Sequence, residues 1–150
     1  MWLVFFHVAT VFIAFALTAG VGIAFGIIAR SGDVRAIRAA SRAAIPLVTA
    51  GGVLLALGAL FGFGAVLLFG YSLSARWLII TYALVALIFV DGLIIRRPWM
   101  VRVRDAALLS PDDAPSAELR TLCANRIIAV GGPISGLLWL SVLAMMTVKP

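Results

Sequence analysis

His7 is the only histidine in the chain and falls within a long apolar stretch that begins at Trp2. Hydrocarbon penalises charge and unpaired polar atoms, so an ionisable side chain in such a stretch is a functional candidate by default. A neutral imidazole ligates haem iron or a soft copper ion, and a methionine thioether is a suitable second ligand. Met145 and Met146 lie near the end of the last apolar stretch. If that stretch runs antiparallel to the first, they reach a depth comparable to His7, about a turn and a half into its helix. His7, Met145 and Met146 therefore make one candidate cofactor-binding set, with haem or another tetrapyrrole as the group. A His7 from a symmetric second copy would serve as well. The simpler reading is an imidazole hydrogen-bonded to a helix carbonyl, with the methionines filling space.

Asp91 is the other charged candidate. It precedes Arg96 by five residues, roughly 7–8 Å along a helix. A buried ion pair is the natural outcome, since an opposite charge keeps a carboxylate ionised. A proton-carrying role would need a chain of further polar groups across the bilayer, and the apolar stretches supply few, among them Thr49, Thr81, Tyr82, Ser135 and Ser141. The sequence has no paired carboxylates at catalytic spacing, no glycine-rich phosphate loop, and no nucleophile beside the histidine. Its single cysteine, Cys123, excludes an internal disulfide. These absences point to a non-catalytic protein.

Such residues must be positioned by helices in lipid. Of the 150 residues 64% are hydrophobic and 12% charged, too apolar to cover a soluble domain, whose charged share averages about 25%. A crossing helix needs about 20 mostly apolar residues, and four runs qualify: 2–29, 44–70, 77–95 and 127–148. None alternates as a strand would, and a helix satisfies its own backbone in lipid where an open sheet does not. The first run lacks a basic n-region and exceeds the roughly 7–15 apolar residues of a signal peptide, which predicts a retained helix. The expected fold is all-α: one domain, 1–150, a polytopic membrane protein with a four-transmembrane-helix bundle.

The net charge of +6 is not read as a nucleic-acid signature, because the arginines sit between apolar runs and mark topology. Loops 30–43 and 96–126 carry ten of the twelve Lys and Arg residues; Arg76 and Lys149 are the others. The positive-inside rule places both loops in the cytoplasm and both termini outside. Trp2, Tyr71 and Trp77 then fall at the outer interface and Trp99 at the inner one. Ser31-Gly32-Asp33 reads as a turn with Asp33 as N-cap. Arg35, Arg38 and Arg42 form a basic stripe for lipid headgroups or an acidic partner. In the second loop, 98–109 is expected to lie along the membrane surface with Trp99, Met100, Val101 and Val103 dipping in. Residues 110–115 break the chain, and 116–126 read as helix leading into the last span. That span is expected to bend at Gly131-Gly132-Pro133.

Small residues let helices approach closely in lipid. Gly22 and Gly26, Gly58 and Gly62, and Gly132 and Gly136 each form such a notch, for packing within the bundle or for docking another membrane subunit or a second copy.

Phe6-His7-Val8, the arginine-rich first loop and the closing Met146-Thr147-Val148-Lys149-Pro150 together resemble a family of small bacterial membrane proteins, domain of unknown function 2269. The resemblance covers most of the chain. It implies a multi-pass protein of the bacterial cytoplasmic membrane with four spans. A more distant likeness, carried by His7 alone, is to copper-resistance-type membrane proteins and the haem-pathway membrane oxidase; their further histidines have no counterpart here. The expected role is an accessory or assembly subunit of a larger membrane complex, with haem or tetrapyrrole binding at His7 as the alternative.

Overall fold

The computed structural model describes residues 1–148; Lys149 and Pro150, and with them the tail cation and the end of the closing motif, lie outside the described residues. Helices α1 (Trp2–Ser31), α2 (Val34–Leu68) and α3 (Arg76–Leu109) are each long and apolar enough to cross a membrane. A short α4 (Ala117–Cys123) leads through a turn into α5 (Arg126–Val148), the fourth span. The chain is an all-α polytopic membrane protein with a four-helix transmembrane bundle, as its composition requires.

Helices α1 and α2 form one antiparallel hairpin. Gly32, at φ 73°, ends α1 in the left-handed region, and the Asp33 carboxylate accepts from the Ala36 N–H at 2.9 Å, capping α2. The hairpin closes along a glycine seam. A Cβ on Gly58 would lie 2.7 Å from Val11 Cγ2, and one on Gly51 would lie 2.8 Å from Thr18 Cγ2. The predicted notch at Gly58 and Gly62 is thus used within the chain, extended by Gly51, which the sequence reading did not single out. Gly22, Gly132 and Gly136 would meet nothing within 4 Å, and Gly26 only the Arg30 guanidinium. Helix α2 ends on a Schellman motif: Gly70 takes φ 69°, and Tyr71 N–H donates to Val66 C=O at 3.1 Å.

The second hairpin pairs α3 with α5. The first connection, 30–43, is almost wholly helix, as the Asp33 cap predicts, because Asp33 starts α2 immediately and the following residues are good helix formers. One correction applies to the other connection. Residues 98–109 do not form a separate surface segment: α3 continues through them to Leu109. Trp99, Met100 and Val103 are buried in protein, so they do not dip into lipid and Trp99 is no exposed belt residue. Instead Phe25, Ile37, Trp99, Val103 and Leu119 form a core where α1, α2, α3 and α4 meet. Phe25 and Trp99 stack edge to face at 5.6 Å, and Trp99 Nε1 donates to Leu122 C=O at 3.0 Å. Helix α5 runs unbroken through Pro133.

Two helices contain a widened π turn, Ala16–Gly20 in α1 and Asp91–Arg96 in α3. Such turns insert a residue, rotate the register of the next helical stretch, and recur at functional sites.

Candidate functional site

His7 faces α2. Its Nδ1 lies 2.7 Å from Gly58 C=O; a carbonyl only accepts, so Nδ1 carries the proton and donates. In the neutral ring Nε2 then keeps its lone pair. The ring lies on Gly62, where a Cβ would come within 2.7 Å of Cε1 and Nδ1. Gly62 is therefore what lets the imidazole lie flat against α2. The carbonyl-bonded histidine that sequence reasoning named as the simple reading is the one observed.

His7 also lines a cavity of about 500 Å³ between the two hairpins, opposite the arginine-rich end. Phe12, Val66, Tyr82, Trp139 and Met146 line it as well. The structure thus brings His7 and Met146 to one cavity, and Met145 is not among its lining residues. An imidazole whose second nitrogen is fixed by a carbonyl is the usual preparation of a metal-ligating histidine, so His7 and Met146 fit a tetrapyrrole in donor type. Among the described residues no group of three or more His, Cys, Asp or Glu side chains is placed to share a metal ion. Trp139, 6% exposed, keeps a buried Nε1 without a hydrogen-bond partner.

Asp91 and Arg96 form the expected ion pair, Nε to Oδ2 at 2.6 Å, with side chains 19% and 13% exposed. The π turn spaces them five residues apart on one face. Arg96 also donates to Gly131 C=O, tying α3 to α5. Around this pair lies a small cavity of about 50 Å³, lined by Thr18, Thr49, Asp91, Arg97 and Ser135 among others. Sequence reasoning had no means to place Thr18 here, because the π turns shift the faces that a uniform 3.6-residue period predicts.

The arginine stripe is divided. Arg38 donates to Ala107 C=O at 2.8 Å, to Ser110 C=O at 2.5 Å and to Asp112. Arg35 lies 3.3 Å from the same carboxylate. The hydrogen bond and charge of Arg38, with Arg35 behind it, hold the exposed Asp112 carboxyl below its usual range. This link holds the two arginine-rich connections together at one end of the bundle. Arg38 is committed within the chain, and Arg42 remains exposed. Burial pushes the Cys123 thiol up, away from the reactive thiolate.

No family model, curated protein or solved structure matches this chain.

Proposed function

We propose that the protein is a non-catalytic accessory or assembly subunit that completes a larger complex in a bacterial cytoplasmic membrane. The observation that carries this reading is the open half of the bundle. There the two hairpins leave an apolar cavity of about 500 Å³ unsealed, where the other end of the molecule combines a core of bulky side chains with a smaller, arginine-lined cavity of about 290 Å³. A partner helix or side chain fills such a space at little cost in polar desolvation. The resemblance to the domain of unknown function 2269 family supports the bacterial location. A photo-crosslinking residue replacing Tyr82, which lines the cavity, is expected to capture another membrane protein in native membranes. Adducts to lipid alone would end this reading.

His7 favours a second reading, a tetrapyrrole held in the same cavity. Its Nε2 is available, its Nδ1 is anchored on Gly58, and Met146 shares the lining. A bound haem supplies one-electron chemistry; the chain's own part is to ligate, orient and exclude water. A Soret band that disappears in His7→Ala supports it, and a colourless preparation from haem-replete cells removes it.

A further inference from the structure

The small cavity at the Asp91–Arg96 pair sits where the two π turns face each other, with Thr18 from one and Asp91 from the other on its walls. One hydroxyl on its walls differs from the other helical hydroxyls of the bundle. A serine or threonine within a helix ordinarily bonds the carbonyl four residues earlier. Thr18 does so to Ala14 at 2.7 Å, Thr49 to Ile45 at 2.9 Å, Thr81 to Trp77 at 2.8 Å and Ser141 to Leu137 at 2.8 Å. Ser135 does not. Its corresponding acceptor is Gly131 C=O, and that oxygen receives the Arg96 guanidinium. Ser135 is 7% exposed, and its hydroxyl has no hydrogen-bond partner among the described residues. Asp91 Oδ1 is likewise unused, since Arg96 binds Oδ2.

An unpartnered hydroxyl, a free carboxylate oxygen and an arginine-bearing rim therefore border one space. Polar groups left with neither a protein partner nor water are costly inside a bundle. An apolar occupant would leave them unmet, and water meets both donor and acceptor needs. The volume of about 50 Å³ holds about three to five waters at the roughly 10–15 Å³ of probe volume each requires. Thr49 and Arg97, at the rim, are exposed.

We propose that this cavity is a water-binding site within the bundle, in which water held by the Ser135 hydroxyl bridges to Asp91 and keeps that carboxylate hydrated from the arginine-rich end. Arg96 creates the site by withdrawing the carbonyl that Ser135 would otherwise use.

Thiol reactivity tests this, because a cysteine reacts as thiolate, which forms where water reaches it. In the full chain carrying Cys123→Ser and reconstituted in vesicles, Ser135→Cys and Thr18→Cys report on two walls of the cavity. Ser141→Cys, exposed on α5, reports on the lipid-facing surface. The probe is the small reagent methanethiosulfonate ethylammonium. Both cavity thiols are expected to react at least tenfold faster than the Ser141 one. Adding Ala83→Leu, exposed and outside the cavity lining, as a remote control leaves the ratio above tenfold, whereas adding Ser135→Leu to Thr18→Cys fills the space and lowers its rate at least fivefold. A variant that does not yield a monodisperse helical preparation is replaced by its partner on the opposite wall. A dry site, in which the cavity thiols react no faster than that at 141, overturns the proposal.

Discussion

The two ends of this bundle are built from the same helices and differ in packing: one sets a buried core beside an arginine-lined cavity of about 290 Å³, and the other leaves a larger apolar cavity of about 500 Å³. At the arginine-rich end Ile37, Ala107, Val103 and Leu119 are fully buried, and Arg38 ties the connection 110–116 to α2 and α3. At the other end Phe12, Tyr82 and Leu143 border an open cavity. Solvent explains the difference. Extensions that emerge into water gain from burying apolar surface, at about 25 cal/mol per Å². Within lipid that drive is absent, and helices close only where shape lets them. The α1–α2 pair closes on Gly51, Gly58 and Gly62; the space between the hairpins lacks such a seam and stays open.

The largest effect expected from this contrast is at Ile37. Ile37→Ala is predicted to cost about 2–5 kcal/mol in reversible unfolding from mixed micelles, whereas Leu143→Ala at the open end costs under about 1 kcal/mol. Equal losses would break the comparison. Next comes the seam. Gly58→Val is predicted to cost about 1–3 kcal/mol through overpacking against Val11, while Gly136→Val, with nothing within 4 Å of the added Cβ, stays within about 0.5 kcal/mol. A folded Gly136→Val protein that loses its membrane partners would sharpen the accessory reading by placing the contact on α5.

A smaller effect is expected at the link between connections. Arg38→Lys keeps one charge but cannot span Ala107, Ser110 and Asp112 together. Backbone amides at 110–116 should then exchange with deuterium several-fold faster, with those of the transmembrane helices unchanged. The smallest effect is its dependence on pH. Asp112 has a folded-state pKa below its unfolded value, so its contribution is fully present above the ordinary carboxylate pKa of about 4. It is lost as pH falls from there through the depressed folded value. Exchange at 110–116, taken relative to the intrinsic rate at each pH, should rise across that acid window, and Asp112→Asn should abolish that rise.

The four spans, the Asp33 cap, the Asp91–Arg96 pair and the Gly58–Gly62 contact were legible because each rests on local spacing or on bulk hydropathy. The continuation of α3 to Leu109 was not. Arg96, Arg97, Arg102 and Arg104 made that segment look like a polar connection, and only tertiary burial of Trp99 and Val103 distinguishes it from a surface helix. Thr18 was not placed beside Asp91, and Ser135, named only as one of a few polar groups in the spans, was not joined to it, for another reason: π turns shift the helical faces, and the loss of Ser135's carbonyl depends on where Arg96 reaches in three dimensions. Arg38 was read as facing lipid or a partner, because nothing in its local sequence points to Asp112, which is distant in the chain.

Sidedness measured on single cysteines tests the central claim most directly. In sealed vesicles of one orientation, in a Cys123→Ser background, Ser31→Cys and Asp112→Cys should react with an impermeant thiol reagent from one common side. Ser72→Cys, in the α2–α3 turn, should react only from the other. If Ser31 and Asp112 are labelled from opposite sides, or if Ser72 is labelled with them, the chain does not cross the membrane as described.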